Sequence, residues 1–121
     1  SCSSGRNNED FRGLLRPILE KYGVDLVLQG HDHTYCRGFN EDNIEGDVKN
    51  PPMYVVSVAG PKMYELNTNV WSDVRAKDLQ LYQNVTVDNN TLYFDSYDVT
   101  GKLFDSFRLE KDENEVNTFI E

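Results

Sequence analysis

Apolar residues Phe11, Leu14, Leu15, Ile18, Leu19 and Tyr22 fall at i, i+3, i+4, i+7, i+8 and i+11. That spacing is one stripe of an amphipathic helix, with Arg12, Arg16, Glu20 and Lys21 on the other side. Asn7-Asn8-Glu9-Asp10 offers N-cap candidates, and Gly23 stands where a helix C-terminus favours glycine. Pro17 removes a backbone donor and crowds the carbonyl of Gly13, which predicts a kink or a fresh start there. Val24-Asp25-Leu26-Val27-Leu28 follows as a short, mostly apolar buried strand, so helix and strand together read as the αβ half of an α/β unit. After Pro51-Pro52, the run Met53-Tyr54-Val55-Val56-Ser57-Val58-Ala59 is apolar on both faces and is expected as a central strand, ending at Gly60-Pro61.

Between them, Phe39 to Asn50 is polar and acidic and reads as a loop. A short strand about Met63–Leu66 is a weaker expectation. From Leu79 the period changes to two. Leu79, Leu81, Val85 and Val87 point one way, and Gln80, Tyr82, Asn84 and Thr86 the other. Asp88-Asn89-Asn90 turns into a strand with Leu92 and Phe94 inward and Tyr93, Asp95 and Tyr97 outward. Thr100-Gly101-Lys102 turns again into a third strand with Leu103, Phe107 and Leu109 inward. Three antiparallel strands in succession make a meander. The charged tail Lys111–Glu121 is expected to fray, which divides the chain into residues 1–110 and a tail, 111–121.

The 121 residues fit one domain, and 38% apolar content with a mean hydropathy of −0.64 leaves its core thin. Twelve Lys and Arg against 21 Asp and Glu give a net charge of −9. That balance argues against nucleic acid or an anionic membrane as a partner, and any phosphate site must bring positive charge of its own. The longest apolar run is far short of the roughly 18 residues of a membrane span. No leader is legible, and Ser1 to Gly5 looks like a loop cut from something longer. Cys2 and Cys36 are in no Cys-x-x-Cys spacing, so free thiols are the plain expectation, with a pair and the compartment left open.

The candidate chemistry lies in Gly30-His31-Asp32-His33, which holds both histidines of the chain. It follows a strand, where open α/β sheets place their ligands. In extended backbone, imidazoles two residues apart point to the same side, roughly 6–7 Å apart. Neutral imidazole binds Zn, Fe and similar metals, and the pair suits one ion each of a two-metal centre. The preceding Gly30 lets the backbone turn tightly or approach the site. Against this stands a plainer reading, a solvated polar loop, since two ligands complete no metal site. Glu41, Asp42, Glu45 and Asp47 lack the spacing of a calcium loop and read as solvated. Trp71 near Tyr64 reads as packing before site lining.

The stretch from Val24 through Gly30-His31-Asp32-His33-Thr34-Tyr35-Cys36-Arg37 resembles the last metal-binding motif of calcineurin-like metallophosphoesterases, in particular the purple acid phosphatase branch. The helix over Leu14–Gly23 and the run Tyr54–Gly60 are similar to the same family's C-terminal stretch. The resemblance covers about residues 3–66 well and the meander loosely. It implies an α/β fold, α+β in this segment: the C-terminal portion of a four-layer αββα sandwich, one helix and then mostly strands. Carried over, His31 would bind the second and His33 the first of two metal ions (Fe, Zn or Mn) that serve phosphate-ester hydrolysis. Tyr35 and Arg37 would lie in a second shell or simply pack. The family's Asp, Gly-Asp and Gly-Asn-His motifs are absent from these 121 residues.

The expected partners are therefore a phosphate ester and the missing N-terminal half of the domain, and the segment alone is expected to be inactive. Exposed apolar strand faces predict a homo-oligomer. The family leans extracytoplasmic. The rival reading is a stand-alone α/β binding or interaction module in which the two histidines are incidental.

Overall fold

A computed structural model describes residues 2, 3, 5, 8–39, 48–67 and 71–121. Asn7 and the acidic loop residues Glu41, Asp42, Glu45 and Asp47 lie outside the described residues. The chain forms two units, residues 1–79 and 80–121.

In the first unit, helix α1 spans Glu9–Lys21. Asn8 caps it, its side-chain oxygen accepting the Phe11 N–H at 3.0 Å. At the other end Gly23 has φ +62°, the left-handed conformation that glycine adopts without steric cost. There its N–H bonds the Glu20 carbonyl and the Val24 N–H reaches back to Leu19, satisfying two terminal acceptors. α1 runs through Pro17 without the fresh start that was one of the two expectations there. The two caps hold its ends, and an Arg16–Glu20 ion pair at 2.7 Å spans the proline turn. The apolar stripe splits: Leu15 and Leu19 are half-buried, while Phe11, Leu14, Ile18 and Tyr22 stay exposed.

The first sheet contains β1 (Leu26–Gln29), β2 (Tyr35–Gly38), β3 (Met53–Val56) and β4 (Val74–Ala76), in the order β1-β3-β2-β4. β1 runs parallel to β3, and β2 runs antiparallel to both β3 and β4. β3 is an inner strand as expected, with Met53, Val55 and Val56 buried. β1, expected as buried, is an edge strand with Leu28 and Gln29 exposed. Residues 63–66 form no strand; a single bridge joins Leu66 to Ser3.

The second unit is a four-stranded antiparallel meander: β5 (Leu81–Asp88), β6 (Thr91–Asp98), β7 (Leu103–Lys111) and β8 (Asn117–Ile120). Leu81, Phe94, Phe107 and Leu109 are buried, and Phe94 stacks on Phe107 with ring centroids 4.7 Å apart. Leu103 is exposed, not inward. The register shifts between Ser96 and Tyr97, so Ser96 faces Asp105 but Tyr97 faces Leu103, which carries Leu103 to the outer side. The tail does not fray over its length either. Asp112 accepts the N–H groups of Asn114 and Val116, and this turn returns residues 117–120 to pair with Arg108–Lys111.

Candidate functional site

Residues 30–34 connect β1 to β2. His31 has φ +72°, where an L side chain is strained, by on the order of 1 kcal/mol. The tight turn expected at Gly30 is therefore made at His31, and the chain is not extended through both histidines. A Cβ on Gly30 would meet nothing within 4 Å, so neither contact nor φ demands glycine there. The His31 side chain is 78% exposed, with Nδ1 3.9 Å from the Asp32 carboxylate.

Asp32 and Thr34 turn inward. Asp32 accepts the Cys2 N–H at 3.1 Å. The Thr34 N–H donates to the Asp32 carbonyl at 2.6 Å, and its hydroxyl lies 3.1 Å from Cys2 Sγ and 3.2 Å from Ser3 Oγ. Cys2 and Cys36 form a disulfide, so the expectation of free thiols is corrected. Both sulfurs are buried beside Val56, with Trp71 packed on them. The pairing arises because Leu66 bridges Ser3 and the Asn67 N–H bonds the Cys2 carbonyl at 2.8 Å, laying the N-terminal segment beside β2. No spacing in the sequence carries that long-range contact.

His33 is held from the other side. Its Nδ1 is 2.7 Å from the Lys62 carbonyl, the Tyr64 N–H donates to the His33 carbonyl at 3.1 Å, and its ring packs on Tyr64 at 4.5 Å. A carbonyl only accepts, so Nδ1 carries a proton, and an imidazole with a single proton placed there has its lone pair on Nε2. That is how second-shell carbonyls prepare a histidine for a metal. Tyr35 and Arg37 are interior residues of β2, fully buried and packed.

Among the described residues no group of three or more His, Cys, Asp and Glu side chains could hold a metal ion. The two imidazoles fit the ligand chemistry of Zn, Fe or Mn in kind, but Asp32 is turned to Cys2. Two imidazoles alone complete no coordination shell.

A cleft of about 370 Å³ separates α1 from β1 and β3. Leu15, Leu19, Val27 and Tyr54 line it, with Gly30, Asp32 and Trp71; neither imidazole does. The Tyr54 hydroxyl is buried with no hydrogen-bond partner among the described residues. Burial first, and the Glu20 charge second, push its pKa up, with Arg16 opposing.

Two curated proteins of Arabidopsis thaliana are similar to this chain. "Probable inactive purple acid phosphatase 24" is 30% identical over 118 residues, covering 87% of the chain and 19% of that protein. "Probable inactive purple acid phosphatase 1" is 25% identical over 120 residues, with the same coverage of 87% and 19%. The chain is similar to a segment of these purple acid phosphatase-like proteins. It spans about a fifth of the length of the curated relatives it matches. No family model and no solved structure matches it. The helix, the two sheets and the C-terminal meander of this phosphatase-like segment are consistent with the C-terminal part of a metallophosphoesterase.

Proposed function

We propose that the segment supplies His31 and His33 as metal ligands, one to each ion, in a longer purple acid phosphatase-like phosphoesterase that acts on phosphate esters. The observation that carries this reading is the Nδ1 hydrogen bond of His33 to Lys62, which leaves Nε2 as the ligating nitrogen. Bound there, two ions of Fe, Zn or Mn supply the positive charge that a chain of net charge −9 lacks, and the Lewis acidity that phosphate-ester hydrolysis uses. Tyr35 and Arg37 support the loop by packing. The remaining ligands come from the N-terminal half of the domain, so residues 1–110 form its C-terminal part and the segment alone turns over no substrate. Nucleic acid and membranes are not partners, and self-association of the segment through exposed apolar side chains is expected. A buried disulfide supports an extracytoplasmic location.

The test is the metal content and p-nitrophenyl phosphate turnover of the full-length parent, with and without His31→Ala/His33→Ala. Loss of bound metal in the double variant is expected. Unchanged metal content would sink the reading. Both relatives are named probable inactive phosphatases, so metal content is the primary readout and turnover the secondary one. The second reading, an α/β binding module with incidental histidines, is favoured by one observation: the cleft is lined by Gly30 and Asp32 and by neither imidazole.

A further inference from the structure

His33 is the middle of three residues whose neighbours on both sides are tied to the N-terminal segment. Asp32 accepts the Cys2 N–H, and the Thr34 hydroxyl lies against Cys2 Sγ and Ser3 Oγ. The disulfide then ties Cys2 to Cys36, two residues beyond Thr34 in β2. The support on the far side of His33, residues 62–67, is joined to the same segment through the Leu66–Ser3 bridge and the Asn67 N–H to Cys2 carbonyl bond. Residues 2 and 3 therefore lie between the two walls that hold His33, and the disulfide is the covalent tie on that position.

We propose that Cys2 and Cys36, acting through Asp32 and Thr34, are positioning residues for His33, so that the loop keeps its ligand-ready geometry only while the disulfide is formed. The proposal rests on the metal-ligand reading of His33 for its meaning, but its test does not. Both cysteines are fully buried, so a dithiol reaches the bond only when the N-terminal segment opens. Its thiolate then attacks one sulfur, the S–S bond breaks, and the departing cysteine takes up a proton. The second thiol of the reagent resolves the mixed disulfide, which leaves two protein thiols and an oxidised reagent.

The experiment compares the oxidised 121-residue chain with Cys2→Ala/Cys36→Ala, by amide hydrogen exchange and by nitrogen NMR of the imidazoles. In the variant, the Thr34 and Tyr64 amides are expected to lose about tenfold more protection than Met53 and Ser57, which are bonded to the Asp25 and Gln29 carbonyls and whose change reports the general loss of stability. The His33 signals are expected to move from the Nδ1–H form to a tautomer average, a change that general loosening elsewhere would not produce. Reduction of the native chain with dithiothreitol should reproduce both effects. Unchanged Tyr64 exchange and an unchanged His33 tautomer overturn the proposal.

Should the variant lose Met53 and Ser57 protection to the same extent, Asp32→Ala with the disulfide intact decides. Faster Tyr64 exchange alone supports the proposal, and wild-type exchange overturns it. Failure of the metal-ligand reading shows separately, as unchanged metal content in the histidine double variant.

Discussion

Gly38 ends β2 against the backbone of residues 71–73. A Cβ built there would lie 2.9 Å from Ser72 Cα, 2.9 Å from the Trp71 carbonyl oxygen and 3.1 Å from the Asp73 nitrogen. All three are backbone atoms, so no side chain can swing aside. Ordinary contact begins at 3.4 Å, and residues 71–73 must retreat by roughly half an ångström in Gly38→Ala. That movement stretches the Asp73 N–H bond to the Arg37 carbonyl, now 2.8 Å. Overpacking costs about 1–3 kcal/mol and the weakened hydrogen bond ~1 kcal/mol, offset by up to ~1 kcal/mol from a stiffer unfolded chain, for a net loss of about 1–4 kcal/mol. Urea unfolding followed by the fluorescence of Trp71, the one tryptophan of the chain, reads this unit directly. Gly30→Ala is the control. It meets nothing within 4 Å and should change stability by no more than about 0.5–1 kcal/mol, in the stabilising direction. Equal midpoints for the two variants would refute the close-approach argument.

Removing the disulfide, which closes a loop of separation 34, should lower stability by about 4 kcal/mol by the chain-entropy relation; a loss near ~1 kcal/mol or less in urea unfolding contradicts it. Tyr54 keeps its proton in the folded protein to higher pH than in the unfolded chain, so its contribution holds below about pH 10 and is lost as pH rises. Tyr54→Phe should flatten that alkaline decline and leave neutral stability unchanged or higher by ~1 kcal/mol, since an unpartnered hydroxyl is removed. Asp98 is held below the usual carboxylate range by the Thr100 hydroxyl first and the Lys102 N–H second. Its contribution is present above about pH 4 and fades as pH falls through the lower folded value, so Asp98→Asn should remove that acid-side loss from a pH series of unfolding midpoints. His31→Gly relieves the left-handed φ of +72° and should gain about 0.5–1 kcal/mol, whereas His31→Ala gains nothing; equal effects in thermal melts refute the strain.

Local signals carried the parts of the fold that were legible in the sequence. The cap at Asn8, the glycine at 23 and the 3.6-residue stripe mark α1 because every one of those interactions closes within a few residues. The meander is legible because alternation marks its long strands, though in β5 only Leu81 is buried and Val85 and Val87, expected to point inward with it, are exposed. β2 escaped because Tyr35-Cys36-Arg37-Gly38 is buried at all four positions, so it shows no alternation, and a buried arginine reads as loop. β4 is three residues long and offers too little pattern. β8 was hidden behind the charges of Lys111 to Glu115, although Asp112 there builds the turn that brings the strand back. Leu103 was misplaced by a bulge, a register event that alternation alone cannot reveal.

The site divides along the same line. Gly-His-Asp-His is visible as a string, and the string treats its two histidines as equivalent. The fold does not. His33 is fixed at its ring and its carbonyl by residues 62 and 64, and both of its neighbours are pinned to a segment some thirty residues earlier. His31 is exposed and strained, with its Nδ1 3.9 Å from the Asp32 carboxylate. Strain at an exposed polar residue gives the isolated segment nothing that packing could return, because the side chain is largely in solvent. It persists because Asp32, the next residue, is drawn inward to the Cys2 N–H and forces the turn one residue early. The geometry of His31 is thus a consequence of the clamp on His33. On the metal-ligand reading proposed above, a prepared ligand and a displaced one are what half of a divided coordination shell would present, with the prepared half set by contacts inside this segment and the other dependent on residues outside it.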